Sequence, residues 1–305
     1  LNRKLTSGNI GSRGGRYTFQ LENREPLVGE RKELPVAPYT LGAWLGDGRN
    51  QHPDVCCAEG IVADGYEISW NSVHKTTGVL YFGFKDLRKA LQSVGMCYSR
   101  RRAEKHIPDC YLTASVEQRL ELLAGLIDTD GTLCAGENRY HFSTSDVELK
   151  DTFIQLLATF GWRASVCEDW SKEHSHITQR RACYVIGFNP TLEIPCRIPR
   201  KRLTSFSKQR RVAVKSIRPV SGEVWGNCIT VEGGVYCAGH QMVQTHNSSN
   251  CSMAMVWHLG RDPLHSNLMT AHSDKLTKHF YQQCLQFVID PEYRFSEIFP
   301  NSPLV

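Results

Sequence analysis

The feature that most constrains this chain is an apolar helix ending in an acid, which occurs twice. The stretch Leu122-Leu123-Ala124-Gly125-Leu126-Ile127-Asp128-Thr129-Asp130-Gly131 has a small residue near its middle and an acid in its last turn. Thr40-Leu41-Gly42-Ala43-Trp44-Leu45-Gly46-Asp47-Gly48 has the same shape. Aligning the acids sets Gly42 on Gly125, Gly46 on Thr129, Asp47 on Asp130 and Gly48 on Gly131, at a constant offset of 83 positions. A glycine inside a helix costs about 1 kcal/mol relative to alanine. Two at one offset therefore predict close approach of two helix backbones, at the short end of the usual ~8–10 Å. Side by side, the helices bring Asp47 and Asp130 together at their C-terminal ends. Paired carboxylates repel each other and favour a divalent cation, and hard oxygen ligands suit Mg²⁺. Gly46 and Thr129 stand beside the acids as further candidate ligands.

The segments around the two helices repeat as well. Before the first helix, Pro35 and Pro38 fit a helix start. After Gly48 come β-like stretches near residues 66–70 and 79–84. A helical face follows, with Leu87, Ala90, Leu91 and Val94 on one side and Gly95 as its stop. Lys105-His106-Ile107-Pro108 leads to Ser115, the expected N-cap of the second helix. Beyond it lie strand candidates at residues 140–144 and 162–166, with an amphipathic helix between them ending at Gly161. A third strand candidate spans residues 182–187, before Ile194-Pro195-Cys196-Arg197-Ile198-Pro199-Arg200-Lys201. Each half reads as helix, strands, helix and a basic Ile-Pro segment.

This pair resembles the two dodecapeptide motifs of LAGLIDADG homing endonucleases, the second copy nearly letter for letter. The resemblance implies an α+β, pseudo-two-fold body with saddle sheets over residues 38–207. It also implies a monomer whose partner is a long double-stranded DNA site, cut with Mg²⁺. Polar side chains alternating on such strands reach base edges in the major groove. Arg139, His141, Arg163, Arg197, Arg200, Lys201 and Arg202 are the expected DNA contacts. The Lys-x-Ile-Pro segment resembles a block of intein endonucleases whose lysine sits near the scissile phosphate. That places Lys105 where an ammonium stabilises developing charge or helps activate water. For its counterpart in the second half, Arg197, Arg200 and Lys201 are all open.

Composition is that of a globular protein. Hydrophobic residues make up 41% of the 305 and charged residues 22%, and no apolar run approaches the ~20 residues of a membrane span. The net charge of +5 is modest, but nine Lys and Arg with no Asp or Glu lie between Arg197 and Arg218. Arg100, Arg101, Arg102 and Lys105 form a second cluster. Such clusters suit phosphate contact. The twelve cysteines fit no zinc spacing, and with no secretion signal they read as free thiols in a reducing cytosol.

The last third differs. Strand-like stretches at residues 212–220, 224–232 and 235–239 lead to Gln241-Met242-Val243-Gln244-Thr245-His246-Asn247-Ser248. This end resembles the C-terminal splice junction of an intein, a mostly-β splicing domain. An asparagine amide can attack its own carbonyl and cut the following bond, as expected of Asn247, with His246 polarising that carbonyl or donating to the leaving nitrogen. Ser248 is placed to accept the upstream chain as an ester. Cys228 with Thr245 matches a minority class that initiates splicing at an internal cysteine, and a structural Cys228 is the competing reading. The resemblance assigns residues 1–37 and 208–247 to the splicing element. Residues 248–305 resemble the segment after the P-loop of a viral terminase large subunit, a partial α/β ATPase fragment. The alternative is a nuclease-dead DNA-binding or splicing-only element in that fragment.

Overall fold

The computed structural model describes residues 20–22, 24–56, 64–74, 76, 78–98, 104–134, 137–170, 182–203, 206, 211–213, 231, 235–239, 242–264 and 274–302. The chain divides into one unit of Leu1–Pro219 with His240–Met242 and another of Val220–Gly239 with Val243–Val305.

The first unit carries helices α1 (Pro38–Asp47), α2 (Leu87–Ser93), α3 (Asp109–Leu112), α4 (Val116–Asp130) and α5 (Val147–Thr159). Pro38 enters α1 within its first two positions, where its missing N–H is not needed. Ser115 opens α4 as expected. Its hydroxyl accepts from the Gln118 amide at 3.3 Å, and Gln118 Oε1 accepts from the Ser115 amide at 3.4 Å, which completes a capping box. Helices α2 and α5 stop before Gly95 (φ +83°) and Gly161 (φ +74°), whose left-handed backbone closes each end.

Each half also carries an antiparallel sheet. Strands β2 (Asp54–Cys56), β3 (Ile68–Val73) and β4 (Leu80–Phe84) form the first, in the order β2-β4-β3. Strands β5 (Gly131–Leu133), β6 (Tyr140–Thr144), β7 (Ser165–Trp170) and β8 (Ala182–Phe188) form the second, in the order β5-β6-β8-β7. Alternation sends Tyr140, Phe142, Ile186 and Phe188 into the core, where Phe142 stacks on Phe153 of α5 at 4.2 Å. Two short strands escaped the sequence reading, β2 and β5, because three residues are too few to show a period. The expected recurrence of one element order also needs correction. Helix α2 follows all three strands of its half, whereas α5 separates β6 from β7.

Strand β1 (Gln20–Glu22) pairs antiparallel with β9 (Arg211–Ala213), joining segments on either side of the two halves. In the second unit β10 (Val235–Ala238) and β11 (Val243–His246) form an antiparallel pair, Val235 opposite His246. Helix α6 (Asn247–Arg261) follows directly, then α7 (Asp274–Ile289) and α8 (Phe295–Ile298). Gly260, expected to end the first of these helices, lies inside it. A Cβ there would overlap the Phe299 ring, so the glycine serves contact with α8's following residue. The strand expected at residues 268–273 lies outside the described residues.

Candidate active site

Helices α1 and α4 pack backbone to backbone, as the repeated glycines predict. A Cβ on Gly42 would collide with the Leu122 carbonyl oxygen, and one on Gly125 with the Tyr39 carbonyl oxygen. At Gly46 a Cβ would strike the Thr129 hydroxyl and stand 3.5 Å from Asp130 Oδ2. The end of α1 therefore packs on Thr129, next to the acid of α4.

Protein atoms around the two acids withdraw water from them. Burial, then the negative charge of Asp47, pushes Asp130 up to about 6, against the opposing ammoniums of Lys105 and Lys201. Burial also raises Asp47, and the same two lysines lower it. Beside Asp130 lies a cavity of about 350 Å³, lined in part by Gly46, Asn50, Lys105, Ser143 and Ser145.

Both lysines are tied to the helix ends. Lys105, 8% exposed, donates from Nζ to the carbonyls of Trp44 (3.0 Å), Leu45 (2.8 Å), Gly46 (3.0 Å) and Gly48 (2.7 Å) at the end of α1. Lys201, 4% exposed, donates to those of Ile127 (2.8 Å), Asp128 (2.7 Å) and Thr129 (3.0 Å) at the end of α4. Ammonium groups suit these carbonyl ends, which carry the negative pole of a helix. Of the three basic residues open in the second half, Lys201 occupies the place equivalent to Lys105. Its burial removes it from the exposed surface where a DNA contact was expected.

The other expected DNA contacts spread over several places. Arg139 lies across Gly187 on the second sheet, where a Cβ would meet its guanidinium. There it donates to the Ser165 hydroxyl, and its buried Nε has no acceptor among the described residues. His141 pairs with Gly187 on the same strand register. Arg163 is half-buried, with its pKa lowered by burial. Arg197 stacks on Tyr39 at 3.5 Å and forms an ion pair with Asp64. Arg200 and Arg202 are exposed, and Arg202 Nε donates to the Cys196 carbonyl at 2.7 Å. Arg100, Arg101, Arg102 and Cys228 lie outside the described residues. At the expected splice junction only the backbone is described: Thr245 and His246 end β11, and Asn247 and Ser248 begin α6.

One buried acid beside the site had no role in the sequence reading. Asp128, 3% exposed, accepts from the Tyr39 hydroxyl (2.8 Å) and from the amides of Arg197 (2.6 Å) and Ile198 (3.3 Å). Alignment of the two copies hid it, because Leu45 stands at its place in α1.

The chemistry of the donors suits a hard divalent cation. Two carboxylates close enough for one to raise the pKa of the other end the paired helices, and the carbonyls of Gly46 and Thr129 each keep a second lone pair beside the lysine bond. Among the described residues no group of three or more His, Cys, Asp or Glu forms a metal cage. A cation here would thus rely on the acids together with water and substrate oxygens, the usual habit of Mg²⁺.

The two glycine-faced helices each end in an acid, and each half carries its own sheet. Residues 117–211 match the family described as LAGLIDADG-like domain, which supports a domain of homing-endonuclease type. That match contains α4 and leaves α1 outside, so the equivalence of α1 rests on its packing. The chain is also similar to a protein of Mycobacterium intracellulare named replicative DNA helicase DnaB. The two are 31% identical over 246 residues, which is 77% of this chain and 39% of that protein. The chain thus spans about two fifths of the length of this relative. Among the described residues no helix is long and apolar enough to cross a membrane.

Proposed function

We propose that residues 38–207 form a site-specific, double-strand DNA endonuclease embedded in a protein-splicing element. The observation that carries this reading is the close packing of α1 and α4, which lets the charge of Asp47 act on Asp130, with Lys105 and Lys201 bound to the ends of those helices. Asp47 and Asp130, with Gly46 and Thr129, would hold Mg²⁺. When bound, the cation supplies positive charge at the scissile phosphate and polarises a water for attack. The lysines fix the helix ends so that neither acid drifts, and their charge offsets the repulsion between the carboxylates. Arg139 and His141 on the second sheet, with Arg163, Arg197, Arg200 and Arg202, approach DNA phosphates and base edges. Both helices come from one chain, so a monomer suffices.

The C-terminal part of the proposal is autocatalytic. Asn247 cyclises and cuts the bond to Ser248, with His246 assisting, Ser248 as acceptor and Thr245 and Cys228 as auxiliary residues. Residues 248–305 then belong to the host protein, a terminase large subunit by sequence resemblance. The similarity to a replicative helicase supports a second host reading, in which a related insertion interrupts a helicase.

Supercoiled plasmid carrying the uninterrupted host gene tests the nuclease. Wild type with Mg²⁺ is expected to linearise it, and Asp130→Asn to abolish cutting while still shifting the DNA. A wild type that shifts the DNA without cutting would establish the nuclease-dead alternative.

A further inference from the structure

The two lysines that close the paired helices are held by unrelated devices. Lys105 belongs to a segment anchored from α5: its amide donates to Asp146 Oδ2 at 3.1 Å, and the Ile107 amide to Thr152 Oγ1 at 3.0 Å. Lys201 belongs to a segment anchored from α4. There the side chain of Asp128 receives the amides of Arg197 and Ile198, while its own carbonyl receives Lys201 Nζ. One buried residue thus grips residues 197–201 at both ends. The Tyr39 hydroxyl of α1 donates to the same carboxylate, which orients it between the two motif helices. At the aligned place in α1, Leu45 has no acceptor in its side chain, so that position cannot grip the Lys105 segment in the same way.

We infer that Asp128 is a positioning residue that governs cleavage of one DNA strand through Lys201. This rests on the nuclease reading above and goes beyond it, because it gives a buried acid outside the metal-binding pair control over one of the two lysines. A displacement of about 1 Å at a reacting centre costs on the order of a hundredfold in rate. Asparagine in place of Asp128 sets an amide N–H where a carboxylate oxygen had accepted from one of the three donors, which releases the segment without emptying the space.

The experiment follows each strand of a labelled supercoiled plasmid that carries the uninterrupted host gene. Wild type cuts both strands at comparable rates. Asp128→Asn slows one strand by about tenfold or more relative to the other, and nicked circles accumulate. Lys201→Met slows the same strand, Lys105→Met the opposite one. The double variant Asp128→Asn/Lys201→Met is no more biased than Lys201→Met alone, as expected of residues acting through one another. Amide exchange at Ile198 quickens in Asp128→Asn, a readout that needs no cleavage. If Asp128→Asn does not fold, Tyr39→Phe removes one donor to the same carboxylate and shows the same bias at smaller amplitude. Equal slowing of both strands, or additivity in the double variant, overturns the inference while the nuclease stands. Wild type that cuts neither strand overturns the nuclease reading and this inference together.

Discussion

Lys105 and Lys201 close the two paired helices in the same way, each ammonium bonded to three successive carbonyls at aligned places. These are Trp44, Leu45 and Gly46 in one helix and Ile127, Asp128 and Thr129 in the other. The carbonyls precede Asp47 and Asp130, so the positive charges lie beside the acids they support. Both lysines lower Asp47 and Asp130 from where burial alone would hold them.

The helix pair depends on backbone contact. Gly42→Ala and Gly125→Ala each gain about 1 kcal/mol of helix propensity yet drive a methyl into a carbonyl oxygen of the other helix. Overpacking of this kind costs about 1–3 kcal/mol, and backbone yields less than side chains do. Both variants are expected to be less stable than wild type by chemical denaturation. Equal or greater stability would mean that the helices are not so close.

The pH dependence follows from Asp130. Its folded-state pKa of about 6 stands above the ordinary carboxylate value, so ionisation weakens the metal-free fold. The associated stability is fully present below about pH 4, is lost as pH rises through about 6, and is absent above that. Asp130→Asn is therefore expected to melt higher than wild type at pH 8 in chelator, with the difference vanishing near pH 4. Divalent cations compete with that proton, so their apparent affinity should fall as pH drops below about 6. An affinity flat between pH 5 and 8 would argue against this site.

Electrostatic contact with DNA is measured by salt. Arg200 is exposed, next to the buried Lys201. Arg200→Ala should weaken binding to any duplex and reduce the slope of log affinity against log salt by about one. An unchanged slope would remove Arg200 from the phosphate contacts.

Splicing chemistry has a mass signature. Wild type is expected to release a fragment ending at Asn247, and Asn247→Ala to stay intact. Identical intact masses for both would rule out cleavage at that bond.

Much of the first unit could be read from local pattern. The aligned glycines announced the contact of α1 and α4, Ser115 its cap, and Gly95 and Gly161 their stops. Short-range rules suffice there, because capping and left-handed turns involve residues within one turn of each other. Strands β2 and β5 escaped because pairing, not periodicity, defines three-residue strands.

The sequence by itself determined that two acid-ended helices must meet and which acids they carry. Only the tertiary structure decided which basic residue serves the second helix. Lys105 stands two residues before Ile107, whereas Lys201 stands three after Ile198, so no alignment of the two segments superposes them. The ammoniums reach equivalent carbonyls because a long flexible side chain can arrive at one helix end from different directions. The same holds for Asp128, which has no counterpart in the first repeat, where Leu45 stands at its place, and meets residues 197–201 only in the folded chain.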